Sequence, residues 1–230
     1  DFESPLLHKL TWPKVSWAPV LFDLDNDTDL DLFFANGHLN SVSGDNRQSN
    51  LLFENDGGGQ FTDISERSGV LSTGNRIHRS AIFADYDDDG KVDIFVTVNG
   101  QQVEDGQGNN IFDPNQGKGV LFHNETKSDN NWIKVRLEGT KSNRDGFGAT
   151  VAIKAGSIKD KQALVSGQGY FSAHAKEIYF GLGSVKSIDK IKVSWPSGMD
   201  QTFENIPANQ TVYILEGETL HQNTSHLIIK

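Results

Sequence analysis

The sequence predicts an all-β protein with two antiparallel repeats followed by a C-terminal β-sandwich. Apolar residues make up 36% of the 230 residues and there are 23 glycines, which favours short strands joined by turns over a helical bundle. An acid-rich segment occurs twice in the first half, each time before a short apolar run. From residue 132 onward, apolar and polar residues alternate between turn residues, as in half-exposed strands.

The acid-rich segments belong to an internal repeat. Residues 22–33 match residues 84–95, so that Asp23 aligns with Asp85 at an offset of 62. The match resumes downstream at an offset of 69, where residues 50–55 correspond to residues 119–124. The second copy therefore has a longer connection, about residues 100–119. This connection is rich in Gly, Asn and Gln, and we expect it to be a solvated loop.

Each repeat is predicted to be a short meander. One strand enters the acidic loop, a second leaves it, and a third follows the connection. The second strands are expected at 30–35 and 92–98, and the third strands at 51–54 and 120–123. In the first repeat, Asp56 and three glycines predict a tight hairpin turn into residues 60–64.

The C-terminal part is predicted as a sandwich of longer strands at 132–138, 149–154, 161–166, 177–182, 190–195 and 210–215. We therefore divide the chain into two repeats over residues 1–127, a sandwich domain over 128–218, and a tail over 219–230. The tail ends in an apolar run, residues 226–230, with no obvious partner nearby. It is a candidate for a strand exchanged with another chain.

The net charge of −10 equals the ten acidic residues of the two loops, so the acidity is local. Such crowded carboxylates repel one another unless a cation neutralises them. Because there is no basic run, we expect no nucleic-acid partner. No apolar run approaches the ~20 residues that span a bilayer, so no membrane span is expected.

The chain has no cysteine, which excludes disulfides and thiolate metal sites. It begins at Asp1, and its one methionine is Met199. We therefore expect a signal peptide or a longer N-terminal region to precede residue 1.

The spacing in the second loop is that of a calcium loop. Calcium takes roughly six to eight oxygen ligands, which alternate carboxylates and a main-chain carbonyl can supply. Gly90, at position 6, permits the positive φ of a sharp bend. The predicted ligands are the carboxylates at positions 1, 3, 5 and 9 and the carbonyl at position 7, namely Asp85, Asp87, Asp89, Asp93 and Lys91.

The first loop follows the same pattern, with Thr28 in place of the glycine. Its predicted ligands are Asp23, Asp25, Asp27 and Asp31 with the carbonyl of Asp29. Position 12 is Phe34 or Val96 where an EF-hand requires Glu, so neither loop is an EF-hand. Solvated acidic turns are the alternative, but two copies in register before apolar strands favour two Ca²⁺ sites.

The loops and their trailing strands resemble FG-GAP/VCBS repeats, the calcium-loop repeats of integrin-type β-propellers. This resemblance implies propeller-blade-like sheets. The part from Asn131 resembles the ASPIC/UnbV domain, known after such repeats in bacterial secreted proteins and cartilage acidic proteins. Its matching residues are 131–144, 146–149, 167–170, 180–183, 193–198 and 208–210.

A propeller of this type needs about seven blades and the chain has two repeats. Three explanations stay open: further blades upstream, packing of the repeats on the ASPIC-like domain, or completion by another chain. Neither family implies an enzyme, and the carboxylates are taken up by the loop pattern. We therefore expect no catalytic activity.

The function expected from these features is that of a secreted, calcium-binding structural or adhesive protein. Its partner would be a protein or glycan at the cell surface or in the matrix. There are two alternatives. The chain could be a subunit of a fibre or of another homo-oligomer, with the fibre assembled by strand addition. It could also be a carbohydrate-binding lectin. The seven scattered histidines are expected to be surface or core residues.

The sequence also predicts candidate glycosylation sites and the position of two tryptophans. Sequons occur at Asn26, Asn124, Asn209 and Asn223, with Asn124 and Asn223 the best candidates for glycosylation. Trp132 and Trp195 lie on strand patterns, so we expect them to pack in the core and not to stack on sugars.

Overall fold

A computed structural model describes residues 5–39, 47–100, 102–104, 107, 110–112 and 117–218. Over these residues the protein is nearly all β, with one short helix, α1 (Pro5–Thr11). The predicted fold class is confirmed: antiparallel repeat sheets precede a two-sheet sandwich. The predicted exchanged strand at 226–230 lies outside the described residues. No helix in the described part of the chain is long and apolar enough to cross a membrane.

The first repeat is a four-stranded antiparallel sheet with the strands in chain order. Its strands are β1 (Ser16–Phe22), β2 (Asp31–Asn36), β3 (Leu51–Asn55) and β4 (Phe61–Asp63). The glycine-rich turn after Asp56 joins β3 to β4, as predicted. Alternate residues point inward, so that Phe33 and Phe53 are fully buried while Leu21 is exposed.

The second repeat is a three-stranded sheet in the order β5-β6-β9. The strands of this region are β5 (Ile77–Ala84), β6 (Asp93–Asn99), β7 (Gln102–Glu104), β8 (Asn110–Phe112) and β9 (Val120–Phe122). The strands β7 and β8 pair as a separate hairpin within the connection expected to be a loop. The sequence missed them because each is three residues long and without a clear alternating pattern.

The C-terminal part consists of two sheets around one apolar core. Its strands are β10 (Asn131–Glu138), β11 (Thr150–Ala155), β12 (Ile158–Ala163), β13 (Glu177–Gly183), β14 (Ser187–Ser194), β15 (Asp200–Pro207) and β16 (Gln210–Leu215). One sheet has the order β13-β10-β16, with β10 and β16 parallel, and the other has the order β12-β11-β14-β15. Trp195 lies in the core between them, as expected, whereas Trp132 is half-buried.

Two strands of the sandwich differ from the prediction. The strand expected at 161–166 begins at Ile158, because Gly156 (φ 60°) and Ser157 form a two-residue turn directly after β11. The strand β15 was not predicted, since Ile206 is its one fully buried residue. The strand forms because it pairs with β14 after a turn at residues 195–199, although its hydropathy pattern does not indicate a strand.

The described residues fall into two compact units. Unit 1 contains most residues up to Thr126 together with the segment Gly167–Ala175. Unit 2 contains Asp25–Thr28 and most residues from Lys127 onward. The segment Gly167–Ala175 groups with unit 1 because its Ala175 N–H donates to Phe83 O (3.2 Å) and its Tyr170 packs on Trp17.

Candidate metal centres

The two acidic loops have the same backbone conformation. Position 4 is left-handed in both, with φ of 63° at Asn26 and 60° at Asp88. Position 6 is also left-handed in both, with φ of 89° at Thr28 and 87° at Gly90. Glycine accepts this conformation freely, whereas a β-branched residue such as threonine is strained there. The first loop therefore keeps the bend although it lacks the residue that favours it.

Three carboxylates converge in the second loop. One oxygen each from Asp85, Asp87 and Asp93 lies within 4.8 Å of the others. Asp85 and Asp93 are buried, and Asp87 is exposed. Asp85 also shapes the loop, since its two carboxylate oxygens accept the N–H groups of Asp89 (3.0 Å) and Gly90 (3.1 Å). The folded loop therefore places three predicted ligands around one point.

Asp93 anchors the end of this loop. Its Oδ1 accepts the Asn124 N–H at 2.7 Å and its Oδ2 accepts the Tyr86 N–H at 3.2 Å. Burial raises the pKa of Asp93 and the Asp87 carboxylate adds to this rise, against the two N–H groups, which lower it. A cation between the carboxylates would relieve both the burial and the repulsion.

The first loop brings together Asp23, Asp25 and Asp27, whose carboxylate oxygens also lie within 4.8 Å of one another. Asp31 lies outside this trio and has the same anchoring role as Asp93. Its Oδ2 accepts the Leu24 N–H and its Oδ1 accepts the Asn55 N–H, both at 2.8 Å. The two repeats thus share one hydrogen-bond frame around the candidate site.

Two asparagines of this frame were not assigned a role from the sequence. Asn55 is the last residue of β3 and Asn124 lies two residues after β9, and each donates its side-chain N–H to the carbonyl before the anchoring aspartate. The acceptors are Leu30 O and Val92 O, each at 3.1 Å. The sequence signal was the matched Asn at the end of residues 50–55 and 119–124.

The role of Asn124 corrects the expectation that it carries a glycan. Asn124 is 7% exposed, and its Nδ2 donates to both Val92 O and Leu24 O (2.7 Å). A glycan on this nitrogen would replace one of its two N–H groups, break one of these bonds, and require space that a 7% exposed side chain does not have. Of the other sequons, Asn26 is also buried, in the first loop, and Asn223 lies outside the described residues.

The remaining predicted residues have other side-chain contacts. The Lys91 ammonium lies 3.2 Å from Asp89 Oδ2, so this side chain forms an ion pair within the loop. The predicted ligand was the main-chain carbonyl of Lys91. The Asp29 carboxylate lies against Gly57, a glycine with a left-handed φ of 77° in the β3–β4 turn. Asp89 is brought near Asp87 and His123, and this histidine was not a predicted site residue.

The donor set fits calcium better than a soft metal. The two trios supply only carboxylate oxygens, which are hard ligands. In the second loop two of the three are buried, where their charges need compensation. The residues that would hold the ions are therefore Asp23, Asp25 and Asp27 in one loop and Asp85, Asp87 and Asp93 in the other.

The chain matches two protein-family models. The model of the FG-GAP-like repeat matches residues 23–96, which include both loops, and the model named ASPIC and UnbV matches residues 139–221. Among curated proteins, cartilage acidic protein 1 of Homo sapiens is 25% identical over 94% of this chain and 30% of its own length. Cartilage acidic protein 1 of Mus musculus is 25% identical over 99% of this chain and 33% of its own length.

This chain therefore spans about a third of the curated relatives that it matches. The two family matches cover separate parts of it, the first in the repeats and the second in the sandwich. The chain combines an FG-GAP-like repeat region with an ASPIC and UnbV domain, and it is a distant relative of cartilage acidic protein 1.

Proposed function

We propose that this chain is a calcium-stabilised structural or adhesive module that acts outside the cell by binding and not by catalysis. The observation that supports it most is the duplicated loop frame. Both loops bend at the same two positions, bring the carboxylates of positions 1 and 3 together with a third, from position 5 in the first loop and position 9 in the second, and hold the ninth residue through two N–H groups. Such agreement between loops of different sequence favours a shared ligand over chance.

Calcium would act here on conformation. Each loop joins two adjacent strands, β1 to β2 and β5 to β6. An ion held by the three carboxylates would remove their mutual repulsion and fix the loop between its strands. The anchoring aspartates, Asp31 and Asp93, would transmit this order to the third strand of each sheet through Asn55 and Asn124.

An extracellular setting is supported by two considerations. The relatives are named for cartilage, a tissue rich in extracellular matrix. Calcium loops of extracellular modules often bind in the range of about 10⁻⁴–10⁻³ M, an affinity that fills the sites only where free calcium is abundant. We propose that the partner is a protein or glycan at the cell surface or in the matrix.

The proposal is tested by thermal melting with calcium, with magnesium, and with EDTA. Calcium should raise the melting temperature, since a ligand at about 100 times its dissociation constant adds about 2.7 kcal/mol per site. Asp85→Asn should abolish most of the gain from the second loop. Asp88→Asn is the matched control, because Asp88 is exposed, off the ligand positions, and at a φ that suits asparagine.

A melting temperature that is the same in calcium and in excess EDTA would contradict the proposal. An equal response to magnesium would argue for nonspecific screening of charge, because Mg²⁺ demands shorter bonds and stricter geometry than a flexible carboxylate loop supplies.

A second candidate function is that of a fibre subunit. The observation that favours it is the difference between the repeats: the first sheet has four described strands and the second has three, with β9 at its edge. An edge strand can accept a strand from another chain. The apolar residues 226–230 of a neighbouring copy would be the donor.

Sedimentation and electron microscopy of the full chain and of a version ending at residue 218 would test this assembly. The full chain should form oligomers with calcium, and the shortened chain should not. A full chain that stays monomeric at high concentration, or a shortened chain that assembles equally well, would reject strand addition without bearing on calcium binding.

A further inference from the structure

A histidine lies beside the second acidic loop. His123 Nε2 is 3.1 Å from Asp87 Oδ2, and one ligand atom each of Asp87, Asp89 and His123 lies within 4.8 Å of the other two. All three side chains are about one-third exposed: 35% for Asp87, 33% for Asp89 and 38% for His123. An ion from solvent can therefore reach the three side chains.

A carboxylate and an aromatic ring lie on the other sides of the imidazole. The Nδ1 atom of His123 lies 3.8 Å from Glu125 Oε1, and the Tyr86 ring packs edge-on at a centroid distance of 5.6 Å. A carboxylate near the distal nitrogen of a histidine is the usual outer partner in metal sites, where it orients the ring and raises its basicity. In the folded protein Nε2 faces Asp87, and Glu125 is placed to approach Nδ1 when a metal is bound.

The donor types differ from those of the calcium trio. Calcium prefers oxygen, whereas Zn²⁺ and its neighbours in the transition series bind imidazole nitrogen well. One nitrogen and two carboxylates provide three protein ligands, the number found in open tetrahedral zinc sites, where water is the fourth. The trio of His123, Asp87 and Asp89 thus suits a borderline metal.

The first repeat provides an internal comparison. The residue that corresponds to His123 there is Glu54, which forms an ion pair with Arg67. That position has no nitrogen donor, and its carboxylate is directed to a cation of the protein. The two loops, alike in their carboxylate frame, therefore differ in the metal that their surroundings favour.

We propose that Asp87, Asp89 and His123 form a site for Zn²⁺ or a similar divalent transition metal on the exposed side of the second loop. The site shares Asp87 with the calcium trio, so the two metals should bind there in competition or with coupled affinities. His123 lies outside the predicted oxygen set, and zinc binding through it does not require that calcium binds.

Lys91 opposes this metal. Its Nζ lies 3.2 Å from Asp89 Oδ2 and must give up that carboxylate when the ion enters. Lys91→Met should consequently raise the zinc affinity, whereas loss of the outer carboxylate in Glu125→Gln should lower it by about 10-fold.

The test is a titration of calcium-free protein with Zn²⁺ by calorimetry and with Co²⁺ by visible absorption. The wild-type protein should bind one Zn²⁺ with a shift of the His123 ring resonances in nitrogen-detected NMR. His123→Gln should weaken binding by more than about 10-fold, since loss of a ligand exceeds the loss of an outer partner. His8→Gln, which removes an exposed histidine of α1, should change nothing.

Equal zinc affinity in the wild type and in His123→Gln, or a His123 ring that does not respond to zinc, would overturn the proposal. The calcium-induced rise in melting temperature is recorded on the same samples. If that rise is absent while zinc still binds through His123, the zinc site stands and the calcium proposal fails. If calcium raises the melting temperature while His123→Gln leaves the zinc affinity unchanged, the calcium proposal stands and the zinc site fails.

Discussion

Asn124 donates its main-chain N–H to Asp93 at 2.7 Å, and through its side chain it also reaches Leu24 O at 2.7 Å. Leu24 is itself the second residue of the first loop, and its N–H is held by Asp31. One asparagine of the second repeat thus joins the anchor of its own loop to the backbone of the other loop. The two candidate calcium sites are connected through this residue.

Asn124→Ala should destabilise unit 1 by about 2–4 kcal/mol, because it leaves Leu24 O and Val92 O unpaired near a buried side chain. The matched variant Asn55→Ala removes two exposed bonds, the one to Leu30 O and the one that Asn55 accepts from the Gly57 N–H, and should cost about 1 kcal/mol. Chemical denaturation measures both. Asn124→Ala should also reduce any cooperativity between two calcium ions in calorimetry. Equal losses in the two variants would show that Asn124 has no special role.

Thr28→Gly should stabilise the first loop. Thr28 has a φ of 89°, where a β-branched residue is strained by about 1–3 kcal/mol, and glycine is not. The substitution should raise the melting temperature and the calcium affinity of that loop. The reciprocal variant, Gly90→Thr, should lower both in the second loop. A Thr28→Gly protein that is less stable than wild type, with calcium or without, would show that its side chain compensates for the strain.

His174 should make the protein less stable in mild acid. Its Nδ1 accepts the Phe83 N–H at 3.2 Å and its ring stacks on Phe83 at 3.9 Å, and burial lowers its pKa to about 4. The unfolded chain takes up a proton near pH 6.5, before the folded one, so stability falls as the pH drops from about 6.5 to about 4.

His174→Gln should flatten this part of the stability profile, measured by denaturant unfolding at several pH values. His8→Gln is the control and should keep the wild-type slope. A slope unchanged by His174→Gln would mean that the acid sensitivity comes from another group, such as His78, whose pKa burial also lowers.

Glu216 should support unit 2 in a different acid range. Burial alone would raise its pKa, but N–H groups of residues 140–142 and hydroxyls of Ser142 and Ser197 donate to its carboxylate. The net result is a pKa of about 2. Its contribution is complete above the unfolded value of about 4.5 and is lost as the pH falls toward 2.

Glu216→Gln should lower the melting temperature at pH 7, because an amide offers one acceptor oxygen to these donors. Glu218→Gln, a nearby exposed change, should not. Similar melting temperatures for both variants at pH 7 would contradict the assigned role of Glu216.

The sequence predicted what depends on local pattern. The acidic loops, their trailing strands and the hairpin after Asp56 follow from residue spacing, and all three are in the fold. The strand β15 was missed because most of its side chains are exposed, so that pairing with β14 and not hydropathy forms it. The helix α1 was missed for a similar reason, since none of its residues is buried.

For the candidate sites, spacing predicted the carboxylates but not their partners. Asn124 and His123 lie more than 30 residues from the aspartates that they contact, and the fold alone brings them together. The spacing of residues within a loop predicts the ligands of that loop, but it does not predict which residues of another strand will lie beside them. The repeat alignment that pairs Asn55 with Asn124 was the nearest such signal.

The central claim, that both loops bind calcium, is tested most directly by calorimetric titration of EDTA-treated, dialysed protein with Ca²⁺. We predict two bound ions per chain in the wild type and one in each of Asp25→Asn and Asp87→Asn. The control Asp88→Asn should keep both. A wild-type chain that takes up no calcium, or one whose two ions persist in both ligand variants, would contradict the account.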